Sequence, residues 1–238
     1  MVCVFIKKVC IDWEHFSEES YLHHIPALTG MKELSFSGPV TYFAGENGTG
    51  KSTLLEAIAI AWGFNPEGGS IHYSFSTHDS HSGLWEAVTI VRGARTPKWG
   101  YFLRAESFYN VATKEAEYAD GNHPSMGLHE QSHGESFLAV MRGKLSAQGL
   151  YILDEPEAAL SPQSQLAFLV TMKQAVEKGA QFIIASHSPI LLGYPDADIW
   201  SFDKSEPRLI AYEDTESYQV TEMFLHNRES LLTKLLGR

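Results

Sequence analysis

The sequence predicts an α/β fold: a mostly parallel sheet with flanking helices, plus an antiparallel β element and a small helical subdomain. Three observations predict it. Short runs such as Pro39–Ala44, Gly149–Leu153 and Gln181–Ser186 are dominated by apolar residues, the pattern of strands buried on both faces. Between them lie segments whose apolar residues recur at helical spacing, Ser52–Trp62 and Pro162–Lys178, and strands alternating with helices are the signature of a parallel sheet. Hydrophobic residues make up 44% of the 238 positions, enough to build a sizeable core and too many for a disordered chain.

The elements follow in chain order. Residues 2–11 are rich in β-formers and read as a first strand. Pro39–Ala44 is a second, running straight into the glycine-rich turn Gly45–Gly50. The helix Ser52–Trp62 stops at Gly63, and a polar Gly/Ser/His-rich stretch spans 65–83. Trp85–Val91 and Gly100–Arg104 read as two strands joined by the turn Gly93–Pro97, in other words a hairpin. Helices are expected at Phe108–Tyr118 and Glu135–Leu145, with a loop at Asp120–Gly127 between them. Gly149–Asp154 is a buried strand ending in an acid. Pro162–Lys178 is an amphipathic helix with Ser161 as N-cap and proline at its first position. Gln181–Ser186, Asp198–Phe202 and Arg208–Tyr212 read as strands, and Glu216–Leu236 as a helix broken near Asn227. The whole, residues 1–238, reads as one domain. Residues 64–135 form a β and helical excursion from it, and residues 205–238 a C-terminal strand and helical tail.

Composition narrows the function classes. A net charge of −11 excludes a general polyanion binder working by bulk electrostatics. A nucleic acid would need a local patch, for which Arg92, Arg95, Lys98 and Arg104 are the candidate; the competing reading is a solvated hairpin. No apolar run is long enough for a spanning helix. The start, MVCVFIKKVCIDWEH, meets acids too soon for a secretory signal. Two cysteines, Cys3 and Cys10, fit buried thiols in a reducing cytoplasm and lack the further partners of a metal site.

Gly45-Glu-Asn-Gly-Thr-Gly-Lys51-Ser52 matches the phosphate-binding loop pattern in full, between an apolar strand and a helix as the pattern demands. Its glycines let successive N–H groups turn toward phosphate oxygens, and the helix behind it adds its positive end. Asn47, Gly48, Thr49, Gly50, Lys51, Ser52 and Thr53 are therefore the candidate ATP-binding residues. Lys51 neutralises the β- and γ-phosphates and the Ser52 hydroxyl ligates Mg²⁺. Downstream, Asp154 and Glu155 end a buried strand at the sheet edge where open α/β sheets bind ligands. Asp154 suits the Mg²⁺ shell, and Glu155, aimed differently, suits a general base for an attacking water. The acids also read as an acidic helix cap with Pro156 and Glu157. His187 follows the apolar run 182–185 at the same edge, placed for a hydrogen bond to the γ-phosphate or the water.

In the order and spacing of these motifs the chain resembles the ABC-type ATPases, in particular small bacterial members of the soluble SMC/RecF-like branch. Gly45–Ser52 is similar to the Walker A motif, Leu150–Glu155 to Walker B, Ala158–Ser161 to the D-loop and Ser186-His187 to the switch-histidine motif. Gln131-Ser132-His133-Gly134-Glu135 resembles the ABC signature, with His133 and Glu135 where glycine and glutamine are usual. The resemblance implies a head-to-tail homodimer, in which Ser132, His133, Gly134 and Glu135 of one copy close on ATP held by the other. It implies ATP and Mg²⁺ as cofactors. In place of the Q-loop glutamine it leaves Glu106 as a metal or water ligand, or else the Ser76–His78 segment. No heptad run separates Walker A from the signature, so the expectation is a head without coiled-coil arms. The function expected is a soluble switch driven by Mg-dependent ATP hydrolysis, its effector DNA or a protein in DNA repair, maintenance or defence. The alternatives are the nucleotide-binding subunit of an ABC transporter and a small-molecule P-loop kinase.

Overall fold

The structure is a computed structural model, and it describes residues 4–17, 19–71, 82–104 and 148–237. The expected helices at 108–118 and 135–145, and with them the helical subdomain, lie outside the described residues.

Among the described residues, ten strands form two sheets. The larger has the order β10-β9-β3-β8-β7-β6-β4. Its centre is parallel: β9 (Asp198–Ser201), β3 (Val40–Ala44), β8 (Gln181–Ala185), β7 (Gly149–Asp154) and β6 (Trp99–Leu103) run the same way. β10 (Arg208–Ile210) and β4 (Gly69–Ser70) close the two edges antiparallel. Every residue of β3, β7 and β8 is buried. Alternation along these strands divides the core. Phe43, Ile152 and Ile183 face one cluster, and Tyr42, Tyr151, Leu153 and Ile184 face the other.

Helix α2 (Lys51–Trp62) covers the first face, together with the small antiparallel sheet β2-β1-β5 (Glu33–Ser35, Ile6–Ile11, Val88–Arg92). A helix lying between two sheets has little surface for polar residues, and α2 has only Glu56 buried besides its lysine among its charged residues. It ends where the sequence predicts, at Gly63 in the left-handed region, whose N–H returns to Ala59 and Ile60. Before α2 lies the single-turn helix α1 (Pro26–Thr29). The second face is covered by α3 (Pro162–Glu177) and the short α4 (Pro189–Leu192). Ser161 caps α3 by accepting from the Ser164 N–H, as expected. Helix α5 (Glu216–Leu236) has no buried residue and departs from helical geometry at Asn227, where the sequence marks a break.

Two expectations are corrected. The hairpin of 85–104 does not form. Val88–Arg92 pairs antiparallel with β1 in the small sheet, whereas Trp99–Leu103 pairs parallel with β7 in the large one. Backbone bonds at both ends of the connection enforce the split: Gly93 N–H donates to Phe5 O, and Lys98 N–H to Gln148 O. Nor is Cys10 fully buried; it is a half-buried free thiol, because it sits on the β1 face away from α2.

Candidate functional site

The carboxyl ends of β3, β7 and β8 lie side by side, since their residues pair in register: Phe43 with Ala185, Asp154 with Ala185. Whatever follows each strand is thereby brought to one edge, the ligand-binding edge of such sheets.

After β3 the chain turns through Gly45, Gly48 and Gly50, all with φ between 79° and 140°. Two of these positions also need glycine for space. A Cβ on Gly45 would sit 2.8 Å from Asp203 Oδ1, and one on Gly50 2.6 Å from Ile25 Cγ2. Asp203 anchors the loop by accepting the Glu46 N–H at 2.9 Å, and is itself held by the Ser201 hydroxyl at 2.9 Å. Lys51 is buried and spans the loop, donating to Gly45 O at 2.7 Å and Glu46 O at 2.6 Å. Burial pushes its pKa below the usual lysine value, against the opposing pull of Glu155, Asp203, Asp154 and Glu157. The pull of the four acids favours the charged form of the lysine, the form that suits a polyanionic ligand.

Asp154 ends β7 with only 7% exposure. Its Oδ1 accepts the Ser52 hydroxyl at 2.9 Å. Burial raises its pKa to about 7, with Glu155 adding to the rise and Ser52, Lys51 and Arg104 opposing it. A hydroxyl and a desolvated carboxylate within one hydrogen bond of each other are the donor set of a hard divalent cation. Ser52 and Asp154 fit Mg²⁺, which when bound neutralises charge on phosphate oxygens.

Glu155 adopts the left-handed region, φ 46° and ψ 52°, while its N–H donates to Ala185 O. The chain thus leaves the sheet abruptly at Glu155 and turns its carboxylate toward the end of β8. There His187 Nε2 stands 3.4 Å from Glu155 Oε1. The pair lacks hydrogen-bond alignment, and Nε2 is shielded from solvent without a formed bond, although both side chains are about one-third exposed. A cavity of about 250 Å³ opens beside this point, lined by Gly45, Glu46, Ser186, His187 and the start of α5 at Glu216 and Ser217.

The structure therefore brings together the loop Asn47–Gly50, Lys51, Ser52, Thr53, Asp154, Glu155 and His187. Ser132, His133, Gly134, Glu135 and Glu106 lie outside the described residues, as does the Ser76–His78 segment. Among the described residues, two cations of the basic strip have side-chain partners. Arg92 stacks 4.2 Å over the Trp62 ring, and Arg104 pairs with the buried Glu56 at 3.1 Å. Sequence reasoning missed Asp203, which carries no motif, and read Glu157 as a helix-cap acid. In the structure Glu157 Oε1 accepts from the Ser186 hydroxyl and from the His187 and Ser188 N–H groups.

A parallel sheet with a glycine turn, a buried lysine and an acid-tipped neighbouring strand at one edge defines a P-loop nucleotide-binding domain. Comparison with known proteins narrows the class. A family model described as "AAA domain" matches residues 22–120, and a second, described as "AAA domain, putative AbiEii toxin, Type IV TA system", matches residues 136–193. The cobalt import ATP-binding protein CbiO of Salmonella paratyphi A is 28% identical over 199 residues, 74% of this chain and 69% of that protein. The cytochrome c biogenesis ATP-binding export protein CcmA of Rhizobium etli is 26% identical over 170 residues, 65% of this chain and 78% of that protein. Among solved structures, the SMC head domain from Thermotoga maritima aligns over 87% of this chain and 98% of its own, at 17% identity and a TM-score of 0.47. The chain carries an ATPase domain of the AAA/ABC P-loop type. Among the described residues no helix is long and apolar enough to cross a membrane.

Proposed function

We propose that this chain hydrolyses Mg·ATP and uses the cycle as a conformational switch, two copies closing head-to-tail on ATP and parting after hydrolysis. The observation that carries the reading is the convergence of Lys51, Ser52, Asp154, Glu155 and His187 on one sheet edge. Loop N–H groups from Asn47 to Gly50, with Lys51, hold the β- and γ-phosphates. Glu155 orients a water against the γ-phosphorus and takes its proton as the bond to the β-phosphate oxygen breaks, leaving ADP and phosphate. His187, whose Nε2 lies 3.4 Å from Glu155 Oε1, hydrogen-bonds the γ-phosphate or the water. Ser132, His133, Gly134 and Glu135 of the second copy complete the phosphate cage, and Glu106 adds a ligand to the metal or water. A protein or DNA effector reads the closed state, and the compartment is the cytoplasm.

The test is Glu155→Gln. Turnover should fall about a hundredfold or more, the range a positioned general base supplies, while affinity for a fluorescent ATP analogue holds. Undiminished hydrolysis in that variant would remove Glu155 from the chemistry. A second reading, a transporter's nucleotide-binding subunit, is favoured by the import and export names of the relatives above. Sedimentation of the chain with membranes in complex with a permease would select it.

A further inference from the structure

We propose that Glu157 is a positioning residue that locks the His187 loop to the Glu155 turn and so sets the geometry of attack on the γ-phosphate. The inference rests on the hydrolysis reading above and adds to it a residue that no motif marks.

Glu157 Oε1 accepts three hydrogen bonds from the segment after β8: Ser186 Oγ at 2.9 Å, His187 N at 2.6 Å and Ser188 N at 3.1 Å. It reaches them from the turn Pro156–Ala159, which begins directly after Glu155. The two acids therefore bracket one imidazole. Glu155 Oε1 faces its Nε2 at 3.4 Å, and Glu157 holds the backbone from which it projects. A second tie closes the assembly. Ser188 Oγ donates to Gln165 Oε1, and Gln165 Nε2 returns to Leu160 O at 3.2 Å, so the Glu155–Leu160 turn, the 186–188 loop and α3 brace one another.

The other carboxylate oxygen, Oε2, is shielded from solvent and has no hydrogen-bond partner among the described residues. An unsatisfied buried carboxylate oxygen works against stability, and stability alone would be served better by a neutral acceptor. A carboxylate does provide an acceptor strong enough to hold two adjacent N–H groups and a hydroxyl at once. The loop it holds carries the histidine, and displacement of a reacting group by about 1 Å costs about a hundredfold in rate.

Glu157→Ala should keep ATP-analogue affinity within about threefold and lower kcat about tenfold or more, a loss confined to the transition state. Glu157→Gln, whose amide oxygen accepts the same bonds, should recover kcat to within about threefold of the parent. In a His187→Ala background, Glu157→Ala should cost less than about twofold further, because both changes remove one linked element. Losses that multiply, an unchanged kcat in Glu157→Ala, or an affinity that falls in step with kcat would each overturn the proposal. Absence of turnover in the parent would instead reject the hydrolysis reading. Amide exchange then decides the contact by itself: His187 and Ser188 N–H groups should exchange about tenfold faster or more in Glu157→Ala and be restored in Glu157→Gln. Unchanged exchange refutes the lock.

Discussion

Asp154 is the last residue of a strand with no exposed position, and its pKa is pushed from 3.8 to about 7 chiefly by burial. A carboxyl raised in the folded state binds its proton there more tightly than in the unfolded chain. Its contribution to stability is therefore fully present below the unfolded pKa and is lost as pH rises through about 7. At about 1.4 kcal/mol per pKa unit the effect is on the order of a few kcal/mol. Asp154→Asn keeps an acceptor for Ser52 and cannot ionise. In buffer containing a chelator, the variant's melting temperature should gain on the parent from about pH 5 to about pH 7 and level off above it. Parallel melting curves across that range would mean that Asp154 is not desolvated. Next to it, Glu155 holds a backbone conformation that costs a non-glycine residue about 1–2 kcal/mol. Gln148 and Asp196 share that positive φ away from the site, but at Glu155 it falls on the residue whose carboxylate must leave the strand direction to reach His187, where functional strain is commonly stored.

At the scale of elements, β8 does more than supply the centre of the sheet. Its first residue, Gln181, is fully buried, and its side chain serves as a strand pair for β1 and the residue preceding it. Oε1 accepts Phe5 N–H at 2.7 Å and Ile6 N–H at 2.9 Å, and Nε2 donates to Ile6 O at 3.0 Å. One amide thus fastens the small antiparallel sheet to the large one. Gln181→Leu fits the apolar surroundings but leaves three buried backbone groups without partners. At about 1–3 kcal/mol each, chemical denaturation should show a loss of about 3 kcal/mol or more. A loss under about 1 kcal/mol would mean that the two sheets are joined by apolar packing alone. The same junction shows what the sequence could and could not disclose. The buried parallel strands were legible because both faces of β3, β7 and β8 demand apolar residues, and the phosphate loop was legible because its glycines and lysine have fixed offsets. The partners of β5 and β6 were not, because Gly93–Pro97 has the same turn chemistry whether its flanking strands pair with each other or with two different sheets. Glu157 was hidden for a similar reason. Its neighbours in sequence make it a cap, and only the fold of residues 186–188 over it reveals the three donors.

For the molecule as a whole, the site described on one copy is open on the side of His187, where a cavity separates the phosphate loop from the first turn of α5. The reading as a head-to-tail pair requires a second copy to approach that edge. Electrostatics oppose the approach: each copy carries a formal charge of −11, and bound ATP adds more negative charge to the interface. Association must therefore rest on short-range contacts to the nucleotide, and salt should help it, since like net charges repel less when the screening length falls to about 8–10 Å. For Glu155→Gln with saturating ATP and Mg²⁺, light scattering should read twice the 26.5 kDa of the single chain. The doubled fraction should grow as salt rises from about 10 mM to about 150 mM, and chelating the metal should return it to one copy. A mass fixed at one copy under all of these conditions, with ATP demonstrably bound, would mean that the nucleotide is processed by a single copy and that the sheet edge faces a different partner. A pair that weakens as salt rises would point to opposite charges across the interface, placing its contacts away from the acid-rich edge that carries Asp154, Glu155 and Glu157.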